Sequence, residues 1–535
     1  MRKITSIAAV LFASAGLAFA QDMQDALRYS FNEYQGTARS MAMGNAFTAL
    51  GGDLGSIGIN PAGSAINNYS QITLTPGLTL AGIKATYDPA PGLAGNNESY
   101  VIKANRTRLS MPNFGLVVAW APDDNSTVKN VAFGVIANGT ANYQGQIDAR
   151  GINAETSILG EKSLFFSDNR YKNIFNNRDI YNQGYNWEDI VAARTGMVTT
   201  YGGYDDQWIG ATETIFNDGS IGTAGLLDQR WNRVTSGYKY DMVINAAVNL
   251  SDMFYLGANL GIIALEYNSD TYYKEFAVNP NDFYIPFDDG DDYFDSMTLG
   301  SWYSAKGAGA YGKFGFIFVP VPEFRIGAAV QTPGIINIKE KWQNFGDIYY
   351  TTNKHNASED SPEGNYEYNV KTPARFNIGA AFNFGVGVIS ADYEYTDYST
   401  MRLREAEGHD HSAFNDANSN IKNFTGGSHM VRVGAEIKPD PMFAIRAGYN
   451  MTTSPEYEYK GIGTKKAVDA TRHTVSAGFG YSSTGSFFCD LAVQGNFLPK
   501  NYLNVYGNYI DGINSPVITC TSNVWNVVMT FGWRF

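Results

Sequence analysis

The chain holds two cysteines, Cys489 and Cys520, and five histidines in 535 residues. The cysteines fall near opposite ends of two neighbouring expected strands, too far apart to bridge, so no disulfide framework is expected. The few histidines lie in loops or beside strand starts and form no clustered metal or haem ligand set. His409-Asp410-His411 and the run Asp288, Asp289, Asp291, Asp292, Asp295 are expected to be solvated loop residues; the aspartate spacing does not fit a calcium loop with its distal glutamate. There is no G-x-S-x-G elbow, and neither catalysis nor a cofactor is expected. Beyond the first twenty residues no apolar run approaches the ~20 residues that a membrane helix needs. A net charge of −13 argues against nucleic acid as a partner. No repeated blade sequence of the propeller kind occurs.

The first segment present is Met1 to Ala20. Arg2 and Lys3 precede an apolar run from Ile4 to Leu17, and Ala18-Phe19-Ala20 closes it. A secretory signal peptide, residues 1–20, is expected, with no cysteine following to carry a lipid anchor. Residues 21–69 then include a stretch that suits neither helix nor strand, GTARSMAMGNAFTALGGDLGSIGINPAG. It carries seven glycines from Gly36 to Gly63 and ends in Asn60-Pro61-Ala62. Glycine destabilises regular elements, and proline lacks an N–H and biases Asn60 to an extended backbone. Its backbone polar groups need partners from a surrounding structure, so a plug held inside a container is expected.

The container is legible as period-two alternation. In the last fourteen residues one face reads Trp525, Val527, Met529, Phe531, Trp533, Phe535 and the other Asn526, Thr530, Gly532, Arg534, as a lipid-facing barrel strand requires. Tyr366 to Phe384 reads as one long alternating strand, with Lys371 and Arg375 on its luminal face. Fourteen strands are expected, near 70–87, 99–121, 128–142, 236–250, 253–266, 299–318, 322–332, 365–384, 387–397, 427–438, 441–450, 470–482, 486–497 and 522–535. Short connections such as Ser251-Asp252, Gly385-Val386 and Pro439-Asp440 alternate with long ones at 143–235, 267–298, 333–364 and 398–426. Short periplasmic turns alternating with long outer loops are the layout of an outer-membrane barrel, and tyrosine (35) with phenylalanine (32) suits its aromatic girdles. The fold class is all-β: a transmembrane antiparallel β-barrel, residues 70–535, of about fourteen strands with an N-terminal hatch in its lumen.

Gly36-Thr37-Ala38-Arg39-Ser40-Met41-Ala42 and Asp53-Leu54-Gly55-Ser56-Ile57-Gly58-Ile59-Asn60-Pro61-Ala62-Gly63 resemble the hatch of the FadL family of outer-membrane transporters for long-chain fatty acids and other hydrophobic compounds. Thr372-Pro373-Ala374-Arg375-Phe376, Val433-Gly434-Ala435-Glu436 and Ile445-Arg446-Ala447-Gly448-Tyr449 are similar to its strand signatures. The resemblance spans nearly the whole mature chain; the long loop 143–235 and the acidic loop 281–295 depart from it. It implies passive uptake into the outer membrane of a Gram-negative bacterium: capture at outer loops, an apolar pocket, a hatch that shifts, and lateral release into outer-membrane lipid. A monomer is expected. Asp53, Asn60, Pro61 and Ala62 are the expected hatch gate, with a structural anchor weighed evenly against it. Lys371, Arg375, Arg432 and Arg446, with Arg325 and Arg534, are expected to face the lumen, where they pair either with a ligand carboxylate or with interior and hatch carboxylates. Two other functions stay open: haem acquisition at the surface, and a non-transporting barrel that docks a protein-export complex.

Overall fold

The computed structural model describes residues 22–89, 97–122, 126–167, 180–182, 185–202, 207–406, 412–459 and 465–535. The expected signal peptide and His409-Asp410-His411 lie outside them. The wall is built from eighteen segments: β1 (Gln71–Asp88), β2 (Glu98–Trp120), β3 (Val128–Asn142), β4 (Gly145–Asn153), β5 (Leu227–Leu250), β6 (Phe254–Ala277), β7 (Gly290–Val321), β8 (Phe324–Gln331), β9 (Ile335–Tyr350), β10 (Gly364–Lys371), β11 (Arg375–Asn383), β12 (Gly387–Asp397), β13 (Arg402–Glu405), β14 (Gly427–Asp440), β15 (Phe443–Thr452), β16 (Arg472–Ser482), β17 (Phe487–Phe497) and β18 (Val517–Arg534). The pairs β3/β4, β8/β9, β10/β11 and β12/β13 are each one strand interrupted, which leaves fourteen positions around the wall. The fourteen strands pair antiparallel with their neighbours, and β1 pairs with both β2 and β18, so the ring of strands closes.

Alternation places the apolar set outside. Phe114, Phe133, Ile244, Phe314, Ile378 and Trp533 are all exposed on the outer face, whereas Asn113, Asn138, Asn245, Lys313, Asn377 and Arg432 are buried within. A contiguous apolar band of this kind is what a bilayer covers. The short connections lie at one end. Ser251 and Asp252 both adopt positive φ, 57° and 56°, the geometry of a two-residue hairpin whose twist matches the strands.

At the opposite end several strands outrun their expected limits. β6 continues to Ala277, β7 begins at Gly290, β5 begins at Leu227, and β9 occupies 335–350, so much of the expected loops 267–298 and 333–364 is strand. Within 143–235, β4 is followed by two helices, Ile158–Ser167 and Trp187–Arg194; within 398–426, β13 is followed by a helix at Asn415–Phe424. The cap over this end has its own apolar core, in which Leu159, Phe166, Ile190 and Trp208 pack on Tyr273, Leu299 and Ile348 of the wall extensions. A buried ion pair, Lys162 to Asp189 at 2.7 Å, ties its helices Ile158–Ser167 and Trp187–Arg194 together. Below it, burial raises the pKa of Glu275, which accepts from Ser157 Oγ at 2.6 Å, Tyr273 Oη at 2.8 Å and the Ile158 N–H at 3.1 Å.

The alternation expected to run unbroken from Tyr366 to Phe384 reverses once. Tyr368 and Val370 are buried inside, whereas Phe376 and Ile378 are exposed outside. The reversal falls at Thr372-Pro373-Ala374, opposite Thr332-Pro333-Gly334 on the neighbouring strand. Proline donates nothing to a ladder. The threonine hydroxyls bridge the interruption instead, Thr372 Oγ1 accepting from Gly334 N at 2.9 Å and Thr332 Oγ1 from Gly312 N at 3.0 Å. One consequence corrects the sequence reading: Lys371 pairs with the exposed Ile335 and stands on the outer face, not in the lumen.

Candidate functional site

The lumen is filled by the N-terminal segment. Its first element, α1 (Met23–Ser30), is capped by Asp22, whose carboxylate accepts from Gln24 N at 2.7 Å and Asp25 N at 3.1 Å. Met23, Ala26, Leu27 and Tyr29 sit in an apolar chamber walled by Ile263, Leu265, Ile336, Ile338, Tyr368, Val370 and Leu403. The carbonyls at the end of α1 are held by donors from the wall. Lys239 Nζ reaches Tyr29 O at 2.8 Å, Tyr143 Oη reaches Arg28 O at 3.2 Å, and Arg375 donates to Ser30 O. Cations at a helix C-terminus also oppose the negative end of its dipole.

Below the chamber lies the hatch proper, with α2 (Ala38–Ala42) and two 3₁₀ turns, Gly55–Gly58 and Pro61–Ile66. Asn60, Pro61 and Ala62 come together against the wall. Asn60 Nδ2 donates to Thr48 O at 2.6 Å and Phe316 O at 3.0 Å, while Asn245 Nδ2 donates to Pro61 O at 3.1 Å. Contact is this close because the facing wall residues have no side chain: a Cβ at Gly315 would lie 2.0 Å from Asn60 Oδ1, and one at Gly257 2.5 Å from Ala62 N. Wall amides satisfy other hatch carbonyls, Asn138 reaching Gly55 O at 3.0 Å and Asn259 reaching Ile57 O at 2.8 Å. Asp53 is engaged elsewhere in the hatch, accepting from Thr37 Oγ1 at 2.7 Å and Gly55 N at 2.9 Å.

Two buried ion networks join wall and hatch. In one, Glu436 accepts from Arg39 of α2 at 2.9 Å and from Arg446 at 2.5 Å, and Arg446 also reaches Asp490 at 2.6 Å. In the other, Glu394 meets Arg432 at 3.1 Å, Arg375 at 3.3 Å and Tyr34 Oη at 2.8 Å. Asp392, 3.6 Å from Arg432, receives the Thr48 N–H and hydroxyl, each at 2.8 Å. Arg375, Arg432 and Arg446 are therefore brought together with carboxylates of the wall, and Arg375 also with α1. A buried ion needs such a partner.

The wall itself has a window that strand periodicity did not disclose. β2 pairs with β3 from Asn113 to Trp120 and with β4 only at Glu98 and Ser99. Between these, 100–112 of β2 and 139–150 of the facing strand share no ladder. The register on the far side of β3 and β4, against β5, runs on through the same level. The upper strand bends inward: Ala149 of β4 packs with Ala85, Tyr87 and Ile518 on the inner face of β1 and β18. Arg106 and Arg108 of β2 reach across the window, donating to Thr235 O at 3.3 Å and Gly237 O at 3.1 Å. Tyr143, at the bend, packs edge-on against Tyr267 of the chamber with centroids 5.4 Å apart, so the window lies beside the apolar chamber. Pro112 and Gly145 at its margins are the sequence signals for an interrupted strand.

No family model matches the chain, and no curated protein matches it. Solved structures do. The chain is similar to a FadL homologue of Pseudomonas aeruginosa, with 13% identity, a TM-score of 0.49 and coverage of 94% of this chain and 99% of the other. It is similar to the toluene transporter TbuX of Ralstonia pickettii at 14% identity and TM-score 0.46, again over 94% and 99%. The P. putida toluene transporter TodX gives 12% identity and TM-score 0.49 over 94% and 99%. The barrel stands on its own closed strand ladder.

Proposed function

We propose that this chain is a passive outer-membrane passage for small hydrophobic molecules, long-chain fatty acids among them, with lateral release through the wall. The observation that carries the reading is the unpaired window between β2 and the β3/β4 strand, set beside an apolar chamber above a closed hatch. Unpaired backbone in a membrane wall is tolerated only where protein or water satisfies it, so a window of this length is a costly feature in a merely structural barrel. An acyl chain gains about 0.8 kcal/mol for each methylene kept from water. A route from chamber to bilayer preserves that gain, whereas a route through the polar hatch forfeits it. Binding rests on apolar surface, because Arg375, Arg432 and Arg446 are occupied by protein carboxylates. The hatch gates the periplasmic end, with Asp53 and Asn60-Pro61-Ala62 holding it shut.

The experiment is uptake of a fluorescent fatty acid into liposomes by the wild type and by Ser110→Trp, which adds an indole at the lower margin of the window. The expected result is slower uptake by S110W with the amount of ligand co-purified in mild detergent unchanged. Equal uptake by both proteins would sink lateral release, and the absence of any retained hydrophobic molecule would sink the chamber as a binding site.

A further inference from the structure

Of the five arginines expected to face the lumen, three are consumed by carboxylates and two are not. Arg325 of β8 and Arg534 of β18 form no ion pair among the described residues. Both line one cavity of about 420 Å³ beneath the hatch, at the end of the barrel that carries the short turns. Arg325 donates once, to Leu50 O of the hatch at 2.8 Å. The Arg534 side chain makes no hydrogen bond among the described residues; its guanidinium lies over Phe488 at 4.7 Å and Tyr69 at 5.5 Å from the ring centroids, and its Nε is buried without a partner.

The acids around the cavity do not answer these charges. Glu436 and Asp490 are held by Arg39 and Arg446, and Asp53 by Thr37 and Gly55. Glu323, at the turn before β8, also lines it and forms no ion pair with either arginine among the described residues. Guanidinium groups partly withdrawn from water and left without a carboxylate raise the local concentration of anions, and their forked donors suit an oxyanion. The aromatic rings beneath Arg534 fix its plane in place of a carboxylate.

We propose that this vestibule binds oxyanions, a carboxylate or phosphate being the group taken. Arg325 and Arg534, seven strand positions apart on the ring, each serve as a recognition group on their own wall of the cavity. The site is separate from the apolar chamber, on the other side of the hatch. It also touches the hatch directly: Arg325 holds Leu50 O, and Arg39 lies 3.4 Å from Gly52 O across the turn formed by Gly51 and Gly52 at φ 59° and 70°. An anion drawn to Arg325 competes with that hatch carbonyl, so occupancy of the vestibule loosens the turn. Two sources can supply the oxyanion: a free periplasmic anion, or the headgroup of an inner-leaflet phospholipid.

The test is calorimetric titration of inorganic phosphate into the full mature chain in a neutral detergent, beside phospholipid retention from nanodiscs containing phosphatidylglycerol. Wild type, the double variant R325Q/R534Q and the charge-keeping R325K/R534K are compared, each checked for a folded barrel by heat-modifiable migration on gels. Saturable phosphate binding weakened about tenfold or more in R325Q/R534Q and largely kept in R325K/R534K is expected for loss of charge-assisted hydrogen bonds. Phosphatidylglycerol retained by wild type and lost from R325Q/R534Q, without phosphate binding, assigns the site to a lipid headgroup. Binding of neither, or binding equal in wild type and R325Q/R534Q, overturns the proposal. None of these readouts depends on hydrophobic uptake, so the vestibule and the lateral route stand or fall separately.

Discussion

At the residue scale, Glu436 carries the most consequence. It is buried and shared between Arg39 of the hatch and Arg446 of the wall. Its replacement by glutamine leaves two guanidinium groups competing for Asp490, and breaking a buried pair from one side costs about 3–5 kcal/mol. Glu436→Gln is expected to lower the denaturant midpoint of the barrel and to loosen the hatch, whereas Arg39→Gln with Glu436→Gln recovers part of the loss. Equilibrium unfolding in guanidinium measures both, and the recovery is the part that a mere volume change would not give. The residue types of this network were legible in the sequence, since luminal arginines demand partners. Which arginine meets which acid was not, because the pairing depends on strand register and on where the hatch rests. Lys371 shows the limit most plainly: a single reversal at Thr372-Pro373-Ala374 moved it to the opposite face.

At the scale of elements, the hatch and the tall outer strands behave differently. Hatch and wall touch backbone to backbone, and a Cβ at Gly327 would lie 2.1 Å from Thr48 O. Gly327→Ala is expected to displace the turn around Thr48, costing about 1–3 kcal/mol as overpacking does, and to raise passive leak through the barrel. Conductance in planar bilayers reads that leak; a wild-type conductance would show that the hatch absorbs the change. The tall strands are tied at their tips by His355, whose Nε2 lies 2.8 Å from Asp289 and Nδ1 3.0 Å from Asp292, with its ring stacked on Phe287 at 3.7 Å. Hydrogen bonds to Asp289 and Asp292 raise the pKa of His355, and those to His355 and Lys354 lower Asp289 to about 2. The histidine contribution is complete below the ordinary histidine pKa and is lost as pH rises through the raised value. That of Asp289 is present above the ordinary aspartate pKa and is lost as pH falls towards 2. Amide exchange at 351–356 is therefore expected to quicken from pH 6 to pH 9 beyond its intrinsic rate, and H355Q should abolish that excess. These tips lay in expected loops because the outer face turns polar above the apolar band, as at Glu266, Asn268 and Asp270 of β6, so the apolar alternation stops although the inner face stays buried at Tyr267 and Tyr273.

At the scale of the whole molecule, fourteen strands were countable because the bilayer imposes one apolar face on every one of them over the same height. The chamber and the window were not countable, since neither is periodic: one is an apolar inner surface covered by α1, the other a place where pairing stops. On the proposed route, α1 is the obstruction between outer loops and bilayer. Met23, Leu27 and Tyr29 occupy the apolar surface that a hydrophobic ligand would cover, and Tyr143 at the window's bend is bonded to Arg28 O. Ligand and helix cannot both fill that surface, so ligand entry requires α1 to yield. Deleting residues 22–30 is expected to leave a closed, heat-modifiable barrel, because the ladder from β1 to β18 and the ion network at Glu436 do not include them. Uptake of a fluorescent fatty acid into liposomes should then rise, and the S110W substitution should still slow it. Unchanged uptake in the deletion would mean that the ligand takes a path around α1. A rise that S110W does not suppress would place the exit somewhere other than the window between β2 and β3.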